Sequence, residues 1–323
     1  MKKTNQRTYY LLIFIFAFNI SCSKDDSNTK EDLYFDNKEV EVVFENNPEN
    51  GINVIFMGDG YLKEDLTKPY GYYNYHAIKH IKKLFEVPPF STYKEHFNAY
   101  IVYAESVDRD TYSAFNTKFE SGNISSINRQ KIYNYARIAR PDYDESKDII
   151  MVSLAHGKGG GVAFSYQIAV FDGNSERTML HEVGHVYTKL GDEYYYDNTT
   201  APLGLTLSNR PNLDVTPNYD EIKWNFFFGL EEYPEVGAFE GGYYYENGVW
   251  RPTNNSIMKS LEFPYFNAVS REAIVRKIYS DLNLTYKFEV FLESDVPNFL
   301  PVSNSTENIN YDFFVCGNTI TNN

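Results

Sequence analysis

Cysteine is nearly missing from this chain of 323 residues, which contains only Cys22 and Cys316. Two cysteines cannot build a disulfide framework, and Cys316 has no neighbours in the sequence that would complete a zinc site. After the first twenty residues there is no apolar run long enough to cross a bilayer. Basic residues are outnumbered, 30 against 44 acidic ones, for a formal charge of −14. Without a basic stripe to neutralise phosphates, a nucleic-acid partner is excluded. The acidic excess suits solubility in an exposed setting. No G-x-x-x-x-G-K-[ST] loop is present to cradle phosphate. No serine sits in a G-x-S-x-G elbow, which removes one common hydrolase design.

The amino terminus is the exception to this polar character. Lys2, Lys3 and Arg7 precede an apolar run from Tyr9 to Ile20, too short for a comfortable span and suited to an export signal. Ile20-Ser21-Cys22 resembles a lipobox, in which the cysteine is acylated, although Asn19 stands where an apolar residue is usual. Ser23-Lys24-Asp25-Asp26 is similar to the acidic surface-export tag of lipoproteins from Bacteroidetes-type bacteria. The expectation is a signal peptide over 1–21, lipidation at Cys22 and attachment to the outer membrane or cell surface through lipid alone. Removing the signal leaves 44 acidic and 27 basic residues, a net charge of −17.

Residues 22–44 read as a polar tether with a short strand, Val40 to Phe44. Apolar β-branched runs predict strands at Ile52 to Met57, Phe97 to Tyr103, Asp148 to Leu154 and Val162 to Phe171. Helical spacing covers Tyr73 to Phe85, ended by Pro88-Pro89, and then about Glu176 to Leu190. Strands and helices interleave, which predicts an α/β (α+β) fold with a mixed sheet. One catalytic domain is expected over 45–285, with a small extension at 286–323. The protein is expected to be a monomer.

His181-Glu182-Val183-Gly184-His185 lies on the second predicted helix. Histidines four apart share a helix face, so both imidazoles can reach one zinc ion. Glu182 is placed to take a proton from water that zinc has acidified to a pKa of about 7. Gly191 suits a left-handed helix end, beyond which an acidic side chain can return to the metal. Asp192 is the choice for third ligand and Glu193 the reserve. In an unbroken helix Asp192 would stand about 10 Å along the axis from His185, too far to share its ion.

The chain resembles the bacterial IgA-peptidase family of zinc metallopeptidases, which belongs with the metzincins. The resemblance rests on Val54-Ile55-Phe56-Met57-Gly58-Asp59-Gly60-Tyr61, Pro89-Phe90, Tyr93, Phe97-Asn98-Ala99-Tyr100 and the segment from His181 to Tyr194. Downstream it continues through Phe239-Glu240-Gly241-Gly242, Arg251-Pro252 and Ser256-Ile257-Met258. It implies a metzincin-like zincin domain with an active-site helix and a Met-turn, in which Met258 forms an apolar floor beneath the metal. It also implies that Gly159 to Phe171 lies near the cleft, where peptide adds as a strand along a sheet edge. The sequence departs from the usual metzincin pattern. Thr188 stands where a glycine is usual, and Asp192 arrives one residue late.

The expected activity is zinc-dependent hydrolysis of peptide bonds in an extracellular protein or glycoprotein. The rival is a surface lipoprotein that binds host glycoprotein or polysaccharide through aromatic patches such as Tyr194-Tyr195-Tyr196 and Tyr243-Tyr244-Tyr245. In that case the zinc site is structural or vestigial. His76 and His80 repeat the i, i+4 spacing, but lysines surround them and no glutamate follows His76. They read as solvated surface histidines. His156, beside a glycine run, is a minor candidate for oxyanion stabilisation, and His96 reads as structural or surface.

Overall fold

The computed structural model describes residues 33–286, with residues 156, 158, 159 and 166 excepted. The expected signal, Cys22, most of the tether, His156, Cys316 and nearly all of the expected C-terminal extension lie outside the described residues. In chain order the elements are β1 (Val40–Glu45), β2 (Ile52–Asp59), α1 (Tyr72–Leu84), β3 (Phe97–Val102), β4 (Lys118–Glu120), β5 (Asn123–Ser126), α2 (Arg129–Ala139) and β6 (Ile149–Leu154). They continue as β7 (Gly161–Phe164), β8 (Ile168–Asp172), α3 (Glu176–Thr188), β9 (Tyr195–Thr200), β10 (Phe239–Gly242), β11 (Tyr244–Arg251) and α4 (Ala268–Asp281).

Six strands form the main sheet in the order β1-β3-β2-β6-β8-β7. The four central strands run parallel, and the edge strands β1 and β7 are antiparallel to their neighbours. The near-continuous apolar runs of β2, β3 and β6 follow from cover on both faces. Ile52, Val54 and Phe56 of β2 join α1 and α3 in one core, with Ile274 and Ile278 of α4. Ile55 and Met57 point the other way, into a core shared with Ile132, Tyr135 and Ala136 of α2. The result is a mixed α/β sheet with helices on both sides. A second sheet, β10-β11-β9, and the β4–β5 hairpin complete the described strands.

Two expectations need correction here. The segment from Val162 to Phe171 is not one strand. It is the antiparallel pair β7 and β8, reversed at Ser165, whose φ of 52° is left-handed, with Gln167 N–H donating to Phe164 O at 3.0 Å. The apolar residues on both sides of that turn hid it from a periodicity reading. His76 and His80 are not solvated; their exposures are 1% and 0%. α1 packs against β2 and α3, and both histidines fall on that inner face. β1, expected as the short strand Val40 to Phe44 after the tether, hydrogen-bonds along β3 at the sheet edge.

Candidate active site

α3 begins at Ser175, whose Oγ accepts from Thr178 N–H, the usual service of a serine at a helix start. Met179, Leu180, Val183 and Val186 bury one side of the helix in the core. His181 and His185 rise one turn apart on another side. The helix does not end at Gly191 as expected. Lys189 takes the left-handed conformation at φ 57°, and the Leu190 N–H then reaches back to Gly184 O at 3.3 Å. Gly191 is needed for a different reason. A Cβ there would stand 2.3 Å from Leu213 Cδ1, and its N–H donates to Asn212 Oδ1 at 2.7 Å.

The turn at Lys189 returns Asp192 to the helix. Asp192 Oδ1 lies 3.1 Å from His181 Nε2 and 3.2 Å from His185 Nε2, and the two Nε2 atoms are 3.0 Å apart. The opposite ring nitrogens are engaged by main-chain carbonyls, His181 Nδ1 with Ile257 O at 2.9 Å and His185 Nδ1 with Leu190 O at 2.6 Å. A carbonyl oxygen can only accept, so each Nδ1 carries the proton. When the rings are neutral, both Nε2 atoms therefore present lone pairs to a carboxylate oxygen. Asp192 Oδ1 is buried without a hydrogen-bond donor.

Three lone-pair atoms in mutual contact repel unless a cation lies among them. Tetrahedral zinc, with ligands at about 2.0–2.1 Å, sets neighbouring donors roughly 3.3 Å apart, close to the separations found. Two imidazole nitrogens and one carboxylate oxygen are a suitable donor set, so His181, His185 and Asp192 fit a metal ion. The electrostatics agree. Burial alone would lower the His181 pKa, yet the Asp192 and Glu182 carboxylates together outweigh it and lift it to about 9. Burial would raise Asp192, but the two imidazoles hold it well below the usual carboxylate range.

Glu193, the reserve ligand, does not join this group. Its carboxylate is fully buried and accepts from Asn212 Nδ2 at 2.8 Å, Asn267 Nδ2 at 2.9 Å and Ser256 Oγ at 2.5 Å. Its N–H donates to Met258 O at 2.8 Å. It thus ties the loop after α3 to the segment carrying Met258. That methionine is buried beneath the helix, and a Cβ on Gly184 would come within 2.9 Å of its Sδ. Only glycine fits at that point of α3.

Glu182 opens into a cleft of about 220 Å3 together with Gly161 of β7, His181, Tyr194, Ile257 and Lys259. Burial pushes its carboxyl above the usual carboxylate range, and the two imidazoles pull it partly back. A larger hollow of about 460 Å3, lined by Tyr219, Asp220, Asn225, Phe226 and Phe228, contains none of these residues. Sequence reasoning missed Tyr244, whose hydroxyl donates to Asp192 Oδ2 at 2.5 Å. The tyrosine run at 243–245 flagged the region, but nothing in the sequence singled out one hydroxyl.

An α/β sheet carrying a helix with two converging imidazoles, an adjacent glutamate and a returning carboxylate defines a hydrolytic enzyme with a candidate metal centre. The sequence model of one family, described as IgA Peptidase M64, matches residues 40–232 and 223–278. The chain belongs to that family and is a peptidase. No curated protein matches it.

Proposed function

We propose that this protein is a zinc-dependent endopeptidase of extracellular proteins, built as a metzincin-like domain over about 45–285. The observation that carries this reading is the contact of His181 Nε2, His185 Nε2 and Asp192 Oδ1 beside Glu182, three acceptors that call for a cation. Zinc held there would supply a Lewis acid that lowers the pKa of water and polarises the scissile carbonyl. Glu182 takes the proton of the attacking water and passes it to the leaving amine. The enclosing cleft and the half-buried setting of His181 keep competing water few. Met258 is the floor beneath the donors, a Met-turn in role.

Substrate binds as an added strand along β7. That strand is an edge of the main sheet, and its Gly161 passes so close to Glu182 Oε1 that a Cβ would lie 2.4 Å away. A peptide paired with this edge would lay its backbone across the catalytic carboxylate. We also propose export and lipid attachment through Cys22, on the sequence pattern of residues 1–26. The structural form of the rival binding role calls for a closed site with four protein ligands; among the described residues three donors converge. One experiment tests the proposal. The purified protein should contain about one equivalent of zinc and digest an unfolded protein, with activity lost to chelator and restored by zinc. Digestion that persists unchanged after the metal is removed would refute it.

A further inference from the structure

The hairpin between β10 and β11 holds a feature that the catalytic reading leaves unexplained. Gly242 pairs with Tyr245, so the chain reverses over Tyr243 and Tyr244 alone. Both have positive φ, 50° and 73°. Two-residue hairpins of this kind favour Asn-Gly, because bulky side chains in the left-handed region are costly. Two tyrosines in succession there need a compensating contact. The turn clamps one residue twice. Tyr243 N–H donates to Asp192 O at 2.7 Å, and Tyr244 OH donates to Asp192 Oδ2 at 2.5 Å.

This second bond fixes the carboxylate. A carboxylate can turn about its terminal torsion, and either oxygen could face the imidazoles. With Oδ2 held by the tyrosine, Oδ1 is the atom turned toward His181 and His185. Tyr244 Oη belongs to a side chain held by Tyr194 on one side, ring centroids 5.3 Å apart, and by stacking on Tyr196 at 6.1 Å. We propose that Tyr244 is a positioning residue for the metal centre, its hydroxyl orienting Asp192 so that one oxygen is presented as a ligand. The proposal rests on the reading of His181, His185 and Asp192 as metal donors.

The test measures zinc affinity by chelator competition, and the visible spectrum of the cobalt-substituted protein, for wild type, Tyr244→Phe, Tyr196→Phe and Asp192→Asn. Partners that orient metal ligands typically alter affinity by about 10–100-fold. Tyr244→Phe keeps the ring and should weaken zinc binding by that factor and alter the cobalt spectrum, while Tyr196→Phe does neither. Tyr244→Phe with wild-type affinity and spectrum, alongside an Asp192→Asn that binds poorly, overturns the role of Tyr244 and leaves the metal site standing. A lower melting temperature of the metal-free Tyr244→Phe protein with unchanged zinc affinity overturns it too, since that is a purely structural role. If Asp192→Asn also binds zinc normally, the metal-site reading itself fails.

Discussion

Two helices of this protein carry histidines four apart, and they make opposite use of them. On α3, His181-Glu182-Val183-Gly184-His185 brings both rings within hydrogen-bond distance of Asp192. On α1, His76-Ala77-Ile78-Lys79-His80 holds rings whose centroids are 6.0 Å apart, with His76 Nδ1 on Tyr61 Oη at 2.6 Å and His80 Nδ1 on the His76 carbonyl at 2.7 Å. The spacing is identical and the surroundings are not. A carboxylate returns to the α3 pair from beyond the helix, whereas Lys79 sits within the α1 pair. The His181 pKa is lifted to about 9; burial, with Lys79 assisting, drops His76 and His80 to about 4. One pair attracts a positive charge and the other repels it. Histidine spacing supplies the opportunity for a metal, and the charge delivered by a distant segment decides whether it is taken.

Position by position, Glu182 on α3 corresponds to Ala77 on α1, and this difference carries the largest expected effect. Glu182→Gln removes the proposed proton acceptor while leaving His181, His185 and Asp192 in place. Turnover of a protein substrate should fall about 10³-fold, within the range for loss of a general base, with bound metal unchanged. Metal content by emission spectrometry beside a digestion assay checks both halves. Near-normal turnover in that variant removes the functional contrast between the helices.

This contrast also shows what the sequence could and could not tell. His181, His185 and the neighbouring Glu182 are legible because a helix fixes their geometry from spacing alone. Asp192 is legible only as the next acidic residue after a helix stop, and the stop itself was misplaced. Gly191 was the natural choice, yet Lys189 bears the left-handed turn, because Gly191 is needed where Leu213 leaves no room for a Cβ. The burial of the α1 pair was not legible, since lysines at 79, 82 and 83 suggest a solvated face. Those side chains reach outward along their stems while His76 and His80 face the core. The central strands of the sheet showed in their apolar runs. The hairpin of β10 and β11 did not, because tyrosines occupy a turn that ordinarily calls for Asn and Gly.

The second effect is one of stability. A buried neutral histidine whose folded pKa lies below the unfolded value of about 6.5 binds fewer protons folded than unfolded. Stability is therefore full above pH 6.5, declines as the pH falls toward 4, and levels off below. A gap from 6.5 to about 4 at His80 corresponds to a loss on the order of 3 kcal/mol. Urea unfolding of the metal-free protein between pH 7 and 4 should show this decline. His80→Met cannot titrate, so its decline should be shallower by a comparable amount even if it starts lower. Parallel curves for the two proteins would mean that His80 is not the buried neutral group described above.

The smallest effect isolates Lys79, which stands where α3 has Gly184. Its ammonium lowers both α1 histidines, and it pairs with Glu176 at the start of α3 at 3.5 Å. Lys79→Gln should raise the two histidine pKa values slightly, narrowing their gap to the unfolded state and reducing the acid-induced loss. Partly exposed charges contribute about 0.2–1 kcal/mol, so the change belongs at the lower end of that range. The lost pair with Glu176 lowers stability by a similar amount near neutral pH, which makes a single melting temperature uninformative. The difference in unfolding free energy between pH 7 and pH 4.5 is the useful quantity. It should shrink in Lys79→Gln at low salt and respond less at high salt, where the ammonium of the wild type is already screened. An unchanged difference at low salt would mean that burial alone keeps the α1 pair neutral, and that the lysine has no part in separating the two helices.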